Sequence, residues 1–217
     1  MESDRLEAFS DGVFAVAITL LALDLVVPGP GESMSLAKKL FEHRYSFAAF
    51  VVSFLTIGII WVNHHTLFKN FARIDRPLLF INLLLLFFVV CIPFATSTFA
   101  AYLPKGGFDA SVAAAIYEGV FEGMSLSFCI MFWWAIRCEH LKIALTRAAA
   151  RTATIRFGIG NIAYIAAIGI AFISPTAAFV ISAVVAIYYV FEQTPGRKPT
   201  PAAPGDSGTP GDPPVTA

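Results

Sequence analysis

Residues 5–27 read RLEAFSDGVFAVAITLLALDLVV and run straight into Pro28-Gly29-Pro30-Gly31. About 20 apolar residues are needed for a helix to cross roughly 30 Å of hydrocarbon, and this stretch is long enough. It nevertheless keeps Arg5, Ser10, Asp11, Thr19 and Asp24. Charged side chains inside a span are costly, and they persist where a partner or a function holds them. The segment therefore predicts a membrane helix whose polar residues have work to do, stopped by residues that cannot continue it.

Further apolar runs predict spans at about 45–65, 77–102, 111–136, 154–173 and 175–191. The third opens on Pro77, which suits a first helical turn, and only Ser174 separates the last two. These six spans form one transmembrane domain, residues 1–192. From Gln193 onward the chain is mostly Pro, Gly, Thr, Ala and Ser. Such a composition buries too little surface to offset ordering entropy, so 193–217 reads as a disordered tail.

Composition agrees with lipid as the solvent. Of 217 residues, 57% are hydrophobic and 14% charged, against roughly 25% charged in a soluble domain. Mean hydropathy is +0.73. Fifteen basic residues balance fifteen acidic ones, which removes the basic footprint of a nucleic-acid binder. The acidic start (Glu2, Asp4) and the charges within the first run do not suit a cleaved signal peptide, so that segment is expected to be retained. Cys91, Cys129 and Cys138 fit neither a disulfide framework nor zinc spacing and read as small buried hydrophobes.

Lysine and arginine counts set the orientation. With the N-terminus inside, eleven fall in inner segments and four in outer ones. Six spans then place both termini in the cytoplasm of a multi-pass cell-membrane protein. The basic stretch from Arg137 to Arg156 is expected to be helical at the inner headgroups, or simply to obey the positive-inside rule.

This topology brings polar residues of three helices to one depth. Asp11 lies one to two turns from the inner end of the first span, Trp61, Asn63, His64 and His65 close the second, and Asn82 lies one to two turns into the third. A buried carboxylate needs donors, and an indole, an imidazole and an amide can supply them. The cluster reads as structural glue between the three helices or, alternatively, as a proton relay through Asp11 and His64 or His65. No metal site is expected, because adjacent histidines point about 100° apart on a helix. The opposite face of the first helix carries Val16, Leu20, Leu23 and Val27 with Thr19 alongside, a stripe that by periodicity fits packing, lipid contact or a pore. On the fourth span, Gly119 and Gly123 form a GxxxG that favours close helix contact. Glu118 and Glu122 share its face without an evident partner.

No TVGYG-type filter, voltage-sensor arginine repeat, nucleotide loop, HExxH or serine elbow occurs. No inverted repeat is evident. No nucleophile–base pair or open metal site can be assembled, so an enzyme is not expected.

Arg5-Leu6-Glu7-Ala8-Phe9-Ser10-Asp11 matches an RxxxFSD signature, and Trp61-Val62-Asn63-His64-His65 follows at the end of the second span. Asp75-Arg76-Pro77, Asn82-Leu83 and Pro93-Phe94 come next in order. In these motifs the chain resembles the transmembrane protein 175 family over residues 5 to 191. The resemblance implies a cation channel selective for potassium to a varying degree, of the prokaryotic single-repeat type. It implies a homotetramer without a re-entrant selectivity loop, the first helix of each copy lining a central pore. The family's constriction falls five positions after the motif aspartate, here Val16, followed by Thr19, Leu20 and Leu23. Valine is smaller than the usual isoleucine or leucine there, so the narrowing widens or moves to Leu20 or Leu23. Arg5, Phe9, Ser10, Asp11, Trp61, His64, His65 and Asn82 would form the structural network, and Asp24 the outer mouth. No cofactor is implied; the partners are the bilayer, further copies of the chain and permeant K+ and other monovalent cations. A proton-coupled carrier or proton pathway through Asp11 and His64 or His65 remains the alternative.

Overall fold

The computed structural model describes residues 3–26, 35–142 and 146–191. The tail predicted for 193–217 and the Pro28–Gly31 stop lie outside them. Among the described residues the protein is all-helical apart from one isolated bridge between Phe71 and Leu141. The helices are α1 (Ser3–Leu20), α2 (Leu36–Glu42), α3 (Arg44–Lys69), α4 (Arg76–Tyr102), α5 (Gly107–Arg137), α6 (Arg147–Ala171) and α7 (Pro175–Phe191).

Among the described residues, five helical segments are long and apolar enough to cross a membrane: Asp4–Asp24, Arg44–Lys69, Arg76–Lys105, Gly107–Arg137 and Arg147–Ala171. The sixth expected span corresponds to α7, which has 17 residues. At 1.5 Å per residue that is about 25 Å, short of a typical hydrocarbon core. The small helix α2, capped by Ser35, was not anticipated, because seven residues carry too little periodicity to read.

The first span departs from its expected course. Regular α-helix ends at Leu20, and the chain tightens into a 3-10 turn over Leu21–Asp24. Pro28 and Pro30 beyond it cannot continue a helix, and 3-10 turns are frequent at α-helix C-termini. The basic stretch from Arg137 to Arg156 is also not one helix. It breaks after Arg137 and resumes at Arg147, with residues 143–145 outside the description.

Packing follows the small and aromatic residues. α1 lies against α3 and α4 through Leu6, Phe14 and Ala17, and the 3-10 turn after it continues the contact through Leu21. α4 packs along α5, α5 against α6 and α7, and α7 returns to α3. Gly123 of the expected GxxxG holds two helices close, for a Cβ there would run into the Phe88 ring on α4. Gly119 faces open space, so only half of that motif is a contact. Between α4 and α5 the chain reverses at Gly106 and Gly107, with φ of 68° and 71°; that left-handed backbone is costly for other residues.

Polar groups tie the bundle together at two levels. Ser53 Oγ lies 2.7 Å from Thr96 Oγ1 and 3.1 Å from the hydroxyl of fully buried Tyr117, joining α3, α4 and α5. Between helices, the α3–α4 connection pairs with the chain after α5: Ala72 N donates to His140 O at 2.6 Å and Lys142 N to Asn70 O at 2.8 Å. Asp75 caps α4 by accepting from Leu78 N at 2.9 Å. It also accepts from Trp134 Nε1 at 3.0 Å and faces His140 Nε2 at 3.2 Å. Partial burial pushes the Asp75 carboxyl up, but the Leu78 amide, the Trp134 indole and His140 together hold it below the ordinary carboxylate value.

Candidate functional site

α1 presents two chemically distinct faces. Toward α3 and α4, Ser10 is buried; its hydroxyl donates to Leu6 O at 2.9 Å and accepts from Asn82 Nδ2 at 3.0 Å. Asn82 Oδ1 accepts from His64 Nε2 at 2.8 Å. An amide oxygen can only accept, so His64 carries its proton on Nε2. The donors thus run in one direction, from His64 through Asn82 and Ser10 to the backbone of α1. The His64 ring stacks on Phe68 at 4.1 Å and meets Phe14 at 5.3 Å, and its Nδ1 is buried without a hydrogen-bond partner.

One turn along, Trp61 Nε1 donates to Asp11 Oδ1 at 2.8 Å. The sequence expectation had imidazole and amide converging on Asp11 as well; they are used on each other and on Ser10 instead. Asp11 is half-buried rather than enclosed, and one indole plus access to water meets its needs. His65 diverges from His64, as adjacent helical positions must, and its Nδ1 lies 2.7 Å from Glu7 Oε1. Glu7 was not singled out in the sequence, although its spacing of four from Asp11 puts both on one face. Arg5 and Phe9 are exposed at the start of α1 and are not brought into this network.

The other face of α1, and the 3-10 turn after it, are exposed. Val16 is 57% exposed, Leu20 39% and Leu23 70%, and Thr19 and Asp24 are exposed beside them. The Thr19 hydroxyl donates to its own helix, at 3.0 Å from Ala15 O and 2.9 Å from Val16 O. Its proton is thereby held against the backbone, while the residue stays exposed. Val27 of the expected stripe lies outside the described residues. Far from this helix, Glu118 is fully buried and accepts from Ser182 on α7, a partner that no spacing could have named.

Residues 5–93 match the family described as endosomal/lysosomal potassium channel TMEM175. The chain is 45% identical over 207 residues to a potassium channel of Streptomyces collinus, covering 94% of this chain and 98% of that one. The chain belongs to the TMEM175 family. A crystal structure of a lysosomal potassium-selective channel TMEM175 homolog from Chamaesiphon minutus matches with a TM-score of 0.77 and 36% identity, over 87% of this chain and 96% of that one. A proton channel TMEM175 of Gallus gallus is 40% identical over 111 residues, covering 46% of this chain but 22% of the longer animal protein. The family is one of membrane ion channels, not enzymes.

Proposed function

We propose that this TMEM175 chain is the subunit of a potassium-permeable cation channel of the cell membrane, a homotetramer whose pore is lined by α1. One observation carries the reading: α1 and the 3-10 turn that follows it expose apolar side chains together with Thr19 and the Asp24 carboxylate. Thr19 and Asp24 make that stretch a poor lipid surface, since intramembrane charge favours water or protein over hydrocarbon. Water between copies of the same helix satisfies both kinds of residue.

In this reading Val16, Leu20 and Leu23 form the hydrophobic narrowing, which gates by dewetting. Thr19 oxygens replace part of a dehydrating cation's shell, and the exposure of Thr19 supports that role. Four copies of Asp24 raise the local cation concentration at the outer mouth. Ser10, Asn82, His64, Asp11 and Trp61 hold the back of α1 against α3 and α4, so the lining faces the axis. α7 completes six spans, with both termini cytoplasmic. A hydrated and an ion-blocked state of the ring then differ by a small rotation or dilation of α1.

The name of the animal relatives favours a second reading, proton permeation. Of the two histidines offered for a relay with Asp11, His64 is enclosed by Phe14, Phe68 and Asn82, and His65, beside Glu7 and Asp11, is the better placed. A carrier built on a broken midplane helix is disfavoured, since α1 is continuous from Ser3 to Leu20. Single-channel recording separates the two: discrete currents of millions of ions per second support a channel, and slow saturable flux overturns it.

A further inference from the structure

We propose that Glu7, Asp11 and His65 form a binding site for a divalent transition-metal ion of the zinc class, bridging α1 to the last turns of α3. One ligand-type atom from each residue lies within 4.8 Å of the other two. A tetrahedral ion bound at about 2.0–2.1 Å keeps its ligand atoms roughly 3.3 Å apart, so small side-chain movements close the trio around it. Among the described residues no other group of three His, Cys, Asp or Glu side chains comes together in this way.

Three features beyond proximity point to a cation. Glu7 and Asp11 are like charges at i,i+4 on one helix, an arrangement that repels, and among the described residues no lysine or arginine nitrogen reaches either carboxylate within ion-pair distance. His65 Nδ1 is shut off from solvent and lies 2.7 Å from Glu7 Oε1, an ion pair when the ring is protonated, without making a hydrogen bond to it. Finally, Trp61 orients two of the three ligands. Its N–H fixes Asp11 Oδ1 at 2.8 Å, and its ring stacks on His65 at 5.8 Å and 27°. Outer partners of this kind set ligand direction in metal sites. One imidazole nitrogen with two carboxylate oxygens suits Zn2+ or Co2+ better than the all-oxygen shells of Ca2+ and Mg2+. The sequence excluded a metal by weighing His64 against His65, and it is Glu7 that completes the set.

Where α1 lines the pore, an ion tying it to α3 restrains the helix and lowers current. That consequence rests on the proposed channel; the binding does not. The test is titration of the purified full chain with zinc chloride by calorimetry, beside Glu7→Gln, His65→Ala and, as a control, Asp24→Asn, each checked for unchanged elution on size exclusion. We expect one zinc per chain bound tighter than millimolar, weakened at least tenfold by Glu7→Gln and His65→Ala and not by Asp24→Asn. Absent binding in the wild type, or equal affinity in all variants, overturns the site. If the variants do not fold, the zinc-edge absorption spectrum of the wild type decides: an imidazole nitrogen with carboxylate oxygens supports the site, and a sulfur or all-water shell overturns it. Zinc binding without any current in potassium would instead remove the channel reading and leave the site standing.

Discussion

The indole N–H of Trp61 meets a carboxylate oxygen of Asp11 at 2.8 Å, and this is the bond that fastens the signature aspartate of α1 to α3. Hydrogen bonds to a charged group contribute about 1.5–3 kcal/mol. Asp11→Ala is therefore expected mainly to reduce the yield of the folded, proposed tetramer, measured by size exclusion and cross-linking. Normal assembly with altered ion selectivity would show that Asp11 acts in permeation rather than in packing.

Asn82 carries two bonds in the directed chain from His64 to Ser10. Replacing it by Ala leaves the His64 and Ser10 groups buried without their partner, each at about 1–3 kcal/mol. Asn82→Ala is expected to lower the melting temperature more than Ser10→Ala, because it removes two bonds between helices where Ser10→Ala removes one, the other Ser10 bond lying within α1. Thermal unfolding of the detergent-solubilised protein checks the order.

Gly123 and Gly119 look equivalent in sequence but not in space. Gly119→Ala enters open volume and gains helix propensity, up to about 1 kcal/mol. Gly123→Ala meets the Phe88 ring and should lose stability, partly restored when Phe88→Ala is added. Equal melting temperatures for the two single variants would contradict the close α4–α5 contact.

Asp75 has a folded-state carboxyl held below its ordinary value, despite burial, by the Leu78 amide, Trp134 and His140. A depressed acid contributes stability that is present above the unfolded value, near pH 4, and is lost as pH falls through the lower folded value. Asp75→Asn should therefore lose stability at neutral pH and show a flatter decline below pH 4 than the wild type. Parallel pH–melting curves would refute this.

Asp24 offers a direct test of the outer mouth. Asp24→Asn is expected to reduce single-channel potassium conductance at low salt and to matter little at high salt, where the carboxylate is screened. Unchanged conductance at low salt would remove its role.

The helices were readable because apolar runs of membrane length are strong signals, and the polar cluster was readable because charges in such runs are rare. Trp61 and Asp11 could be placed together by depth alone. Which donor went to which acceptor could not: His64 and Asn82 satisfy each other, and that depends on rotation of α3 against α4 by a fraction of a turn. Ser182 as the partner of Glu118 was out of reach for the same reason, since 64 residues separate them. Glu7 was passed over because a glutamate in the second turn of a helix looks like ordinary surface. The 3-10 turn at Leu21–Asp24 was foreshadowed by the prolines beyond it, but only the structure shows that it displaces Leu23 and Asp24 from a regular α-helical register.

The central claim is that cations pass along α1. Purified protein in a planar bilayer, with potassium chloride facing sodium chloride, tests it most directly when wild type is recorded beside Val16→Ala and Leu20→Ala. The account predicts a reversal potential on the potassium side that either substitution weakens. Currents whose selectivity is identical in all three proteins would contradict a filter on α1, and no current in any of them, with proton-dependent flux in vesicles, would contradict the channel itself.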